Sequence, residues 1–599
     1  MLQACLGHKS VLPRHAADHQ ATNILSDTSR VVYSSDHGDQ IMKTLAVLLT
    51  LLLFPFFSPA QAPKISSDPK KDECKISGMV VKLAGSEPLK NARIRLLSQD
   101  DRAESHSTTT DAGGRFDLKG IDPGRYRLVV RRDGFVAQEY GQKKPDDPGA
   151  ILTLRAKQEM NDLLFRLVPS ALITGRVIND DGDPLPWVQV NALREVYAGG
   201  KKTLFPETTV PTNDLGEYRL FGLRPGRYFI RAEYKPDERI TARGEVEGRD
   251  DDVPRGYVPM YYPSSTEPAR AATVAVKAGE EIPALEVLLR RVEVFSVRGR
   301  VYNMALRRSN ASYNVFLSPR DGDGWLSLPQ RDAIVDDKNG TFVIHDLLPG
   351  PYLLGAFWLD EGKRYQAYQS IDVGNADVEG VGLTLLPGMP LNGRVAWDGQ
   401  PTSDTYRLSV YLRGADNVSG YFGHATVTPP WTFVLNDIHD LTYRVGVSGL
   451  CNDCYLKALR YGGASSPQDT FTPARGSNAA LELTVSSKGA RIRGSVTDTD
   501  NLPAVGVWVI LVPDEARRSS RRLYKSASTD QYGRFELRGI APGDYKLFSW
   551  EEVESGAWED VEFLRDFEEK GEKISVQDGD QKTQNLTAIR TKSPESAKP

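Results

Sequence analysis

Hydrolytic zinc chemistry needs His or carboxylate ligands converging on one ion, and the spacings that bring them together are H-x-x-E and H-E-x-x-H. None of the eight histidines stands in either spacing, and four lie within residues 1–41. The others, His106, His345, His424 and His439, are scattered, and His345 sits inside a strand pattern where packing outweighs ligation. A G-x-S-x-G nucleophile elbow is absent, as is a glycine loop able to cradle phosphate. Cys451 and Cys454 form C-N-D-C, too few ligands for tetrahedral zinc, and read as a local disulfide, while Cys74 stands alone. Asp111, Asp337 and Asp530 recur in one motif, yet each lacks the dense run of oxygen ligands that calcium needs and reads as a turn cap. Lys82 could enter a Lys–Asn cross-link, but no other stretch has its equivalent. These residues predict no catalytic group, no metal and no cofactor.

Aromatic side chains remain as a route to binding, because sugars stack on exposed ring faces. Tyr257, Tyr261 and Tyr262, in a Pro-rich loop after the charged stretch 235–255, are the binding candidates together with Trp325 in a Gly-rich loop. Packing between neighbouring domains is the competing reading of the tyrosine loop. Trp187 and Trp508 fall in alternating strands and read as core.

The elements that must position these residues are set by a repeat, D-x-x-G-x-(F/Y)-x-(L/I)-x-x-(I/L)-x-P-G-x-Y-x-(L/I). It occurs from Asp111, Asp337 and Asp530, from Asn213 with Asn in the leading place, and from Trp431 in a degenerate copy without Pro-Gly. An upstream strand carries a glycine each time: Gly78, Gly175, Gly299, Gly393 and Gly494. In the four clear copies that glycine precedes the motif glycine by about 40 residues, as one duplicated unit requires. F-x-L and Y-x-L place alternate apolar side chains on one strand face, and Pro-Gly between them predicts a hairpin closed by a type II turn. Short strands without helical periodicity, separated by 52 Gly and 37 Pro across the chain, predict antiparallel β-sandwiches with Greek-key connections.

Lys and Arg total 75 against 79 Asp and Glu, a net charge of -4, which excludes the basic footprint of a nucleic-acid binder. Met42-Lys43, the apolar run Leu45–Phe57 and Ser58-Pro-Ala-Gln-Ala62 have the layout of a secretory signal cleaved after Ala62. The run is too short to span a bilayer, so export is expected rather than anchoring, with translation starting at Met42 and residues 1–41 a non-translated or disordered prefix.

With G-x-V, the segments PLKNARIRL from Pro88, PLPWVQVNAL from Pro184 and PAVGVWVILV from Pro503, and the repeat itself, the chain resembles the carboxypeptidase regulatory-like, or transthyretin-like, domains. YVPMYYPSSTEPARA from Tyr257 and CYLKALRYGG from Cys454 extend the resemblance to exported bacterial multi-repeat proteins. The resemblance implies an all-β chain of about five tandem prealbumin-like (Ig-like) sandwich domains, in a fold group that includes carbohydrate-binding-like members. The expected layout is signal 42–62, linker 63–73, repeats at 74–168, 169–292, 293–388, 389–488 (degenerate) and 489–590, and a disordered tail 591–599. The function expected is a non-catalytic structural or interaction protein, a semi-rigid string of sandwiches secreted, periplasmic or at the cell surface. A carbohydrate-binding array is the alternative, and an accessory part of a peptidase system stands behind it. The partner would be a carbohydrate or another envelope protein.

Overall fold

The repeated glycine lies on a strand with a partner on each side. The computed structural model describes residues 72–99, 105–234, 255–303, 313–320, 331–336, 338–360, 363–401, 408–415, 421–466 and 469–590. The signal, the prefix, the tail, Trp325 and Asp337 lie outside them.

In the first repeat, strand β1 (Cys74–Lys82) is flanked by β4 (Arg115–Ile121) and β8 (Glu159–Leu167). A second sheet runs β3-β2-β5-β6, with β2 (Arg93–Ser98), β3 (His106–Thr109), β5 (Gly124–Arg131) and β6 (Gln138–Glu139), and β7 (Leu152–Leu154) also pairs β5. Alternation on both sheets turns Ile76, Val80, Phe116 and Leu118 toward Ile94, Leu96, Tyr126 and Leu128, all buried in one cluster. Most pairing is antiparallel, but β1 and β8 run parallel, because the last strand returns to the first strand's side after the whole repeat has intervened.

The central glycine strands of the other repeats, Ala171–Ile178, Phe295–Asn303, Met389–Asp398 and Ala490–Thr497, have the same two kinds of neighbour, one antiparallel and one parallel. Separate apolar clusters form along the chain: Ala171 to Val294, Phe295 to Leu385, Leu391 to Val485 and Ala490 to Ala588 each enclose one.

The glycines are needed for contact rather than for turning. Each lies directly across from the motif aromatic: Gly78 from Phe116, Gly175 from Tyr218, Gly299 from Phe342, Gly393 from Phe433 and Gly494 from Phe535. A Cβ on Gly494 would stand 1.8 Å from the Gln584 carbonyl oxygen and 2.9 Å from the Phe535 ring. The degenerate fourth copy keeps this pair, with the Phe433 ring 2.2 Å from a Cβ on Gly393.

The expected hairpin is not formed. F-x-L belongs to β4 and Y-x-L to β5, which lie in different sheets, so Pro-Gly turns a corner across the core. The alternation that suggested a hairpin is satisfied equally by two strands facing each other across a sandwich. In three of the four Pro-Gly copies the glycine takes φ of 155° (Gly226), 156° (Gly350) and 139° (Gly543), far from the roughly 80° of a type II turn, and Gly124 in the first copy is not at positive φ. The motif tyrosine locks the corner: the hydroxyls of Tyr126, Tyr228, Tyr352 and Tyr545 each donate 2.8 Å to the carbonyl four residues earlier. Where Pro-Gly is lost, Tyr443 still closes the corner, its hydroxyl accepting from the His439 backbone N–H at 3.1 Å.

The expected string is also modified, because the fifth repeat touches the first and second as well as its neighbour. Ile151 bridges Asp530, and Gln531 brackets Thr153, its side-chain oxygen accepting at 3.0 Å and its amide donating at 2.8 Å. The tip of the hairpin between β10 (Val188–Ala198) and β11 (Lys201–Pro211) reaches the fifth repeat, where Arg521 donates to the Gly199 carbonyl at 2.8 Å. Tyr197 there packs against Phe563, on the short helix Val561–Arg565 that the absence of helical periodicity did not foresee.

Candidate functional site

The leading Asp or Asn of the motif is a turn cap. Asp111 Oδ1 accepts from the Gly113 and Arg115 N–H groups at 2.9 and 2.8 Å, and Asp530 repeats this with Tyr532 and Arg534. In the third repeat Asp336, one place before Asp337, accepts from the Lys338 N–H at 2.9 Å.

A residue absent from the motif does comparable work. Buried Thr110, Thr212 and Thr529 each precede the cap, accept from the N–H of Ala92, Val188 and Val507 at 2.9, 2.9 and 3.0 Å, and donate to the carbonyl of Leu89, Leu185 and Ala504. This latch holds the intervening segment in a left-handed turn at Asn91 (φ 60°), Trp187 (φ 61°) and Gly506 (φ 65°). The Thr-Asp or Thr-Asn dipeptide is the signal that could have revealed it.

Asn and Gly accept that conformation readily, whereas a bulky residue there costs on the order of 1–3 kcal/mol. Trp187 was read as core, but it is 67% exposed, the most exposed large apolar side chain among the described residues. The alternating pattern of β10 starts only at Val188, so the tryptophan falls on the turn before it. Its ring overlooks an open groove of about 1000 Å³ on the outer face of the sheet formed by the strands Ala171–Ile178, Glu217–Leu223 and Glu281–Leu288. Thr174, Arg176, Glu217, Arg219 and Glu286 line it, with Arg176 3.4 Å from Glu217.

The tyrosine candidates are not brought together as a binding surface. Tyr261 is 1% exposed and packs on Leu193 and Leu204, so it presents no ring face to a sugar. Tyr262 is half-buried against the second repeat's core. Tyr257 packs on Tyr234 at 5.4 Å, with Arg291 over its ring, beside Gly256, where a Cβ would meet Asp346 of the third repeat. Packing within the second repeat holds Tyr261 and Tyr262, and the Gly256–Tyr257 end of the segment lies toward the third repeat. Trp508 is half-buried and lies 5.5 Å from Trp558, in a cluster beside the fifth repeat's main core.

His439 is buried, and burial together with the charges of Arg475 and Arg364 pushes its imidazole down to about 3. His345 Nδ1 lies 3.1 Å from Ser296 Oγ. No group of three or more His, Cys, Asp or Glu side chains able to hold a metal occurs among the described residues. Cys451 and Cys454 are joined, with Cα atoms 4.9 Å apart. Their loop is held to the fifth repeat by Arg491 Nη2, which donates to both Asp453 carboxylate oxygens at 2.9 and 2.8 Å, and by the Gly489 N–H donating to the Asp453 carbonyl. Cys74 is buried, its Sγ 3.0 Å from the Arg155 carbonyl, and burial raises its thiol.

Residues 75–161 match the carboxypeptidase regulatory-like domain. No curated protein matches the chain. Among solved structures, the Bacillus anthracis TIE protein is 14% identical over 53% of this chain and 50% of its own, with a TM-score of 0.15. This chain thus spans half the length of that protein. The minor pilin GBS52 of Streptococcus agalactiae is 10% identical over 37% of this chain and 96% of its own, TM-score 0.21. The shaft pilin SpaA of Lactobacillus rhamnosus GG is 13% identical over 37% and 98%, TM-score 0.18.

Proposed function

We propose that the chain is an exported, non-catalytic structural or interaction protein of the cell envelope, made of five sandwich units bounded at 74–168, 169–292, 293–388, 389–488 and 489–590. One observation supports this reading above others: among the described residues, the repeated Asp or Asn, aromatic and tyrosine side chains have structural partners. The Asp or Asn caps a turn, the aromatic covers a glycine and the tyrosine locks a corner. Duplication has multiplied a fold-making signature, which is what a scaffold needs and what a catalyst does not.

The test is export of the full chain in a bacterial host, with sequencing of the recovered protein and peptidase assays with zinc. A mature N-terminus at Pro63 and no release of C-terminal amino acids are expected. Retention in the cytoplasm, or zinc-dependent carboxypeptidase activity, would overturn the proposal.

A further inference from the structure

We propose that the groove beside Trp187 binds a neutral saccharide chain, with a sugar ring stacked on the indole and hydroxyls taken by Arg176, Glu217, Arg219 and Glu286. The latch of Thr212 sets the left-handed turn whatever side chain stands there, since the same latch holds Asn91 and Gly506 in the first and fifth repeats. The fold therefore does not need an indole at this place, and with 67% of Trp187 exposed little of the ring is packed. A backbone strain without compensating packing points to a role outside the fold.

The fifth repeat shows what this end of a sandwich can receive. There the first repeat's segment Ile151–Thr153 lies against Asp530 and Gln531, and it does so beside a glycine: a Cβ on Gly506 would stand 2.7 Å from the Gly141 carbonyl oxygen. In the second repeat Trp187 stands at the latch position held by Gly506 in the fifth, so a flat apolar ring replaces the bare backbone against which that segment docks. Behind the ring, rigid strands carry guanidinium and carboxylate groups of both signs, with Arg176 already paired to Glu217. Two arginines against three carboxylates, Asp214 included, disfavour a polyanion, while planar donors and acceptors beside an aromatic face suit a neutral polyhydroxylated chain. An open groove admits a chain passing through, rather than only its end.

The probes are gels containing laminarin, xyloglucan, galactomannan or pullulan, with alginate as the polyanion, run with the full mature chain. The variants are W187N, which restores the residue of the first repeat, and W187F. At least one neutral polysaccharide should retard the wild type. W187N should lower that affinity at least tenfold and W187F less, while the melting temperature of W187N stays level or rises. Absence of retardation by all four neutral polymers, retardation by alginate alone, or equal retardation of W187N would overturn the proposal. So would a fall in melting temperature for W187N, which would make the indole structural, or a Trp187-dependent dimer without glycan binding, which would assign the face to a second copy. None of these outcomes bears on export or on peptidase activity, where the scaffold reading is tested.

Discussion

Single residues in this chain are constrained by close approach more than by turn geometry. Gly494 has a carbonyl oxygen on one side and the Phe535 ring on the other, so Gly494→Ala must push one of them away. Overpacking of this kind costs about 1–3 kcal/mol, and the loss should fall on the fifth repeat. Hydrogen exchange of the amides between Ala490 and Ala588 locates the effect, since a chain with several cores need not melt in one step. His439 makes a different prediction. Its imidazole binds a proton less readily when folded than when unfolded, so stability is complete above about pH 6.5 and declines as the pH falls toward 3. Burial of the ring puts the full decline on the order of 5 kcal/mol. His439→Leu should flatten that part of the fourth repeat's pH profile, measured by denaturant unfolding at pH 4 and pH 7.

At the scale of elements, the joint between the fourth and fifth repeats depends on a small loop. The Cys451–Cys454 bond closes a short ring, for which the entropic stabilisation is about 2 kcal/mol, and the loop presents Asp453 to Arg491. Replacing both cysteines with serine should speed exchange of the Gly489 N–H, which donates to the Asp453 carbonyl, and leave the first three repeats unchanged. Unchanged exchange at Gly489 would show that the loop holds its shape without the bond.

The sequence was legible where a residue type has one cheap explanation. Asp111 and Asp530 as turn caps, the apolar alternation of both motif strands and the duplication itself could all be read directly. Alternation says which side chains share a face but not which sheet a strand joins, so F-x-L and Y-x-L looked like a hairpin and proved to be two sheets meeting at a corner. Trp187 was misassigned for a related reason: the strand pattern was extended one residue too early, over a position where the matching segments carry Asn91 and Gly506. For Tyr261 the long-range contacts with Leu193 and Leu204 decide, and no local pattern contains them.

Across the whole molecule, the contacts of the first repeat with the second and with the fifth have opposite electrostatics. Asp146 accepts from Arg194 and from Arg224 at 2.8 Å, and although burial alone would raise it, the Arg194 hydrogen bond and the two cationic charges hold it below the usual carboxylate range. Its neighbour Asp147 behaves oppositely: burial, with the Glu552 carboxylate of the fifth repeat nearby, pushes it up to about 6. A carboxyl with a raised folded value favours the folded arrangement below its unfolded value of 3.8 and opposes it increasingly as the pH rises through 6. Asp147→Asn should therefore tighten the contact at pH 7.5, by on the order of 1–2 kcal/mol, and change little at pH 3.5. Protection of the Ile151 N–H, which donates to Thr529 across the contact, provides the readout.

That contact also alters how the chain carries tension. A pull applied at Asp72 and Arg590, the ends of the described chain, enters through the first and last repeats. Those two repeats grip each other through Thr153, Gln531 and the Lys144–Glu552 pair. Load is shared between this grip and the path through the second, third and fourth repeats, which bear less of it while the grip holds. The grip acts as a mechanical fuse, backed by the second repeat's own contact with the fifth, and the interior sandwiches stand in series only once both have sheared.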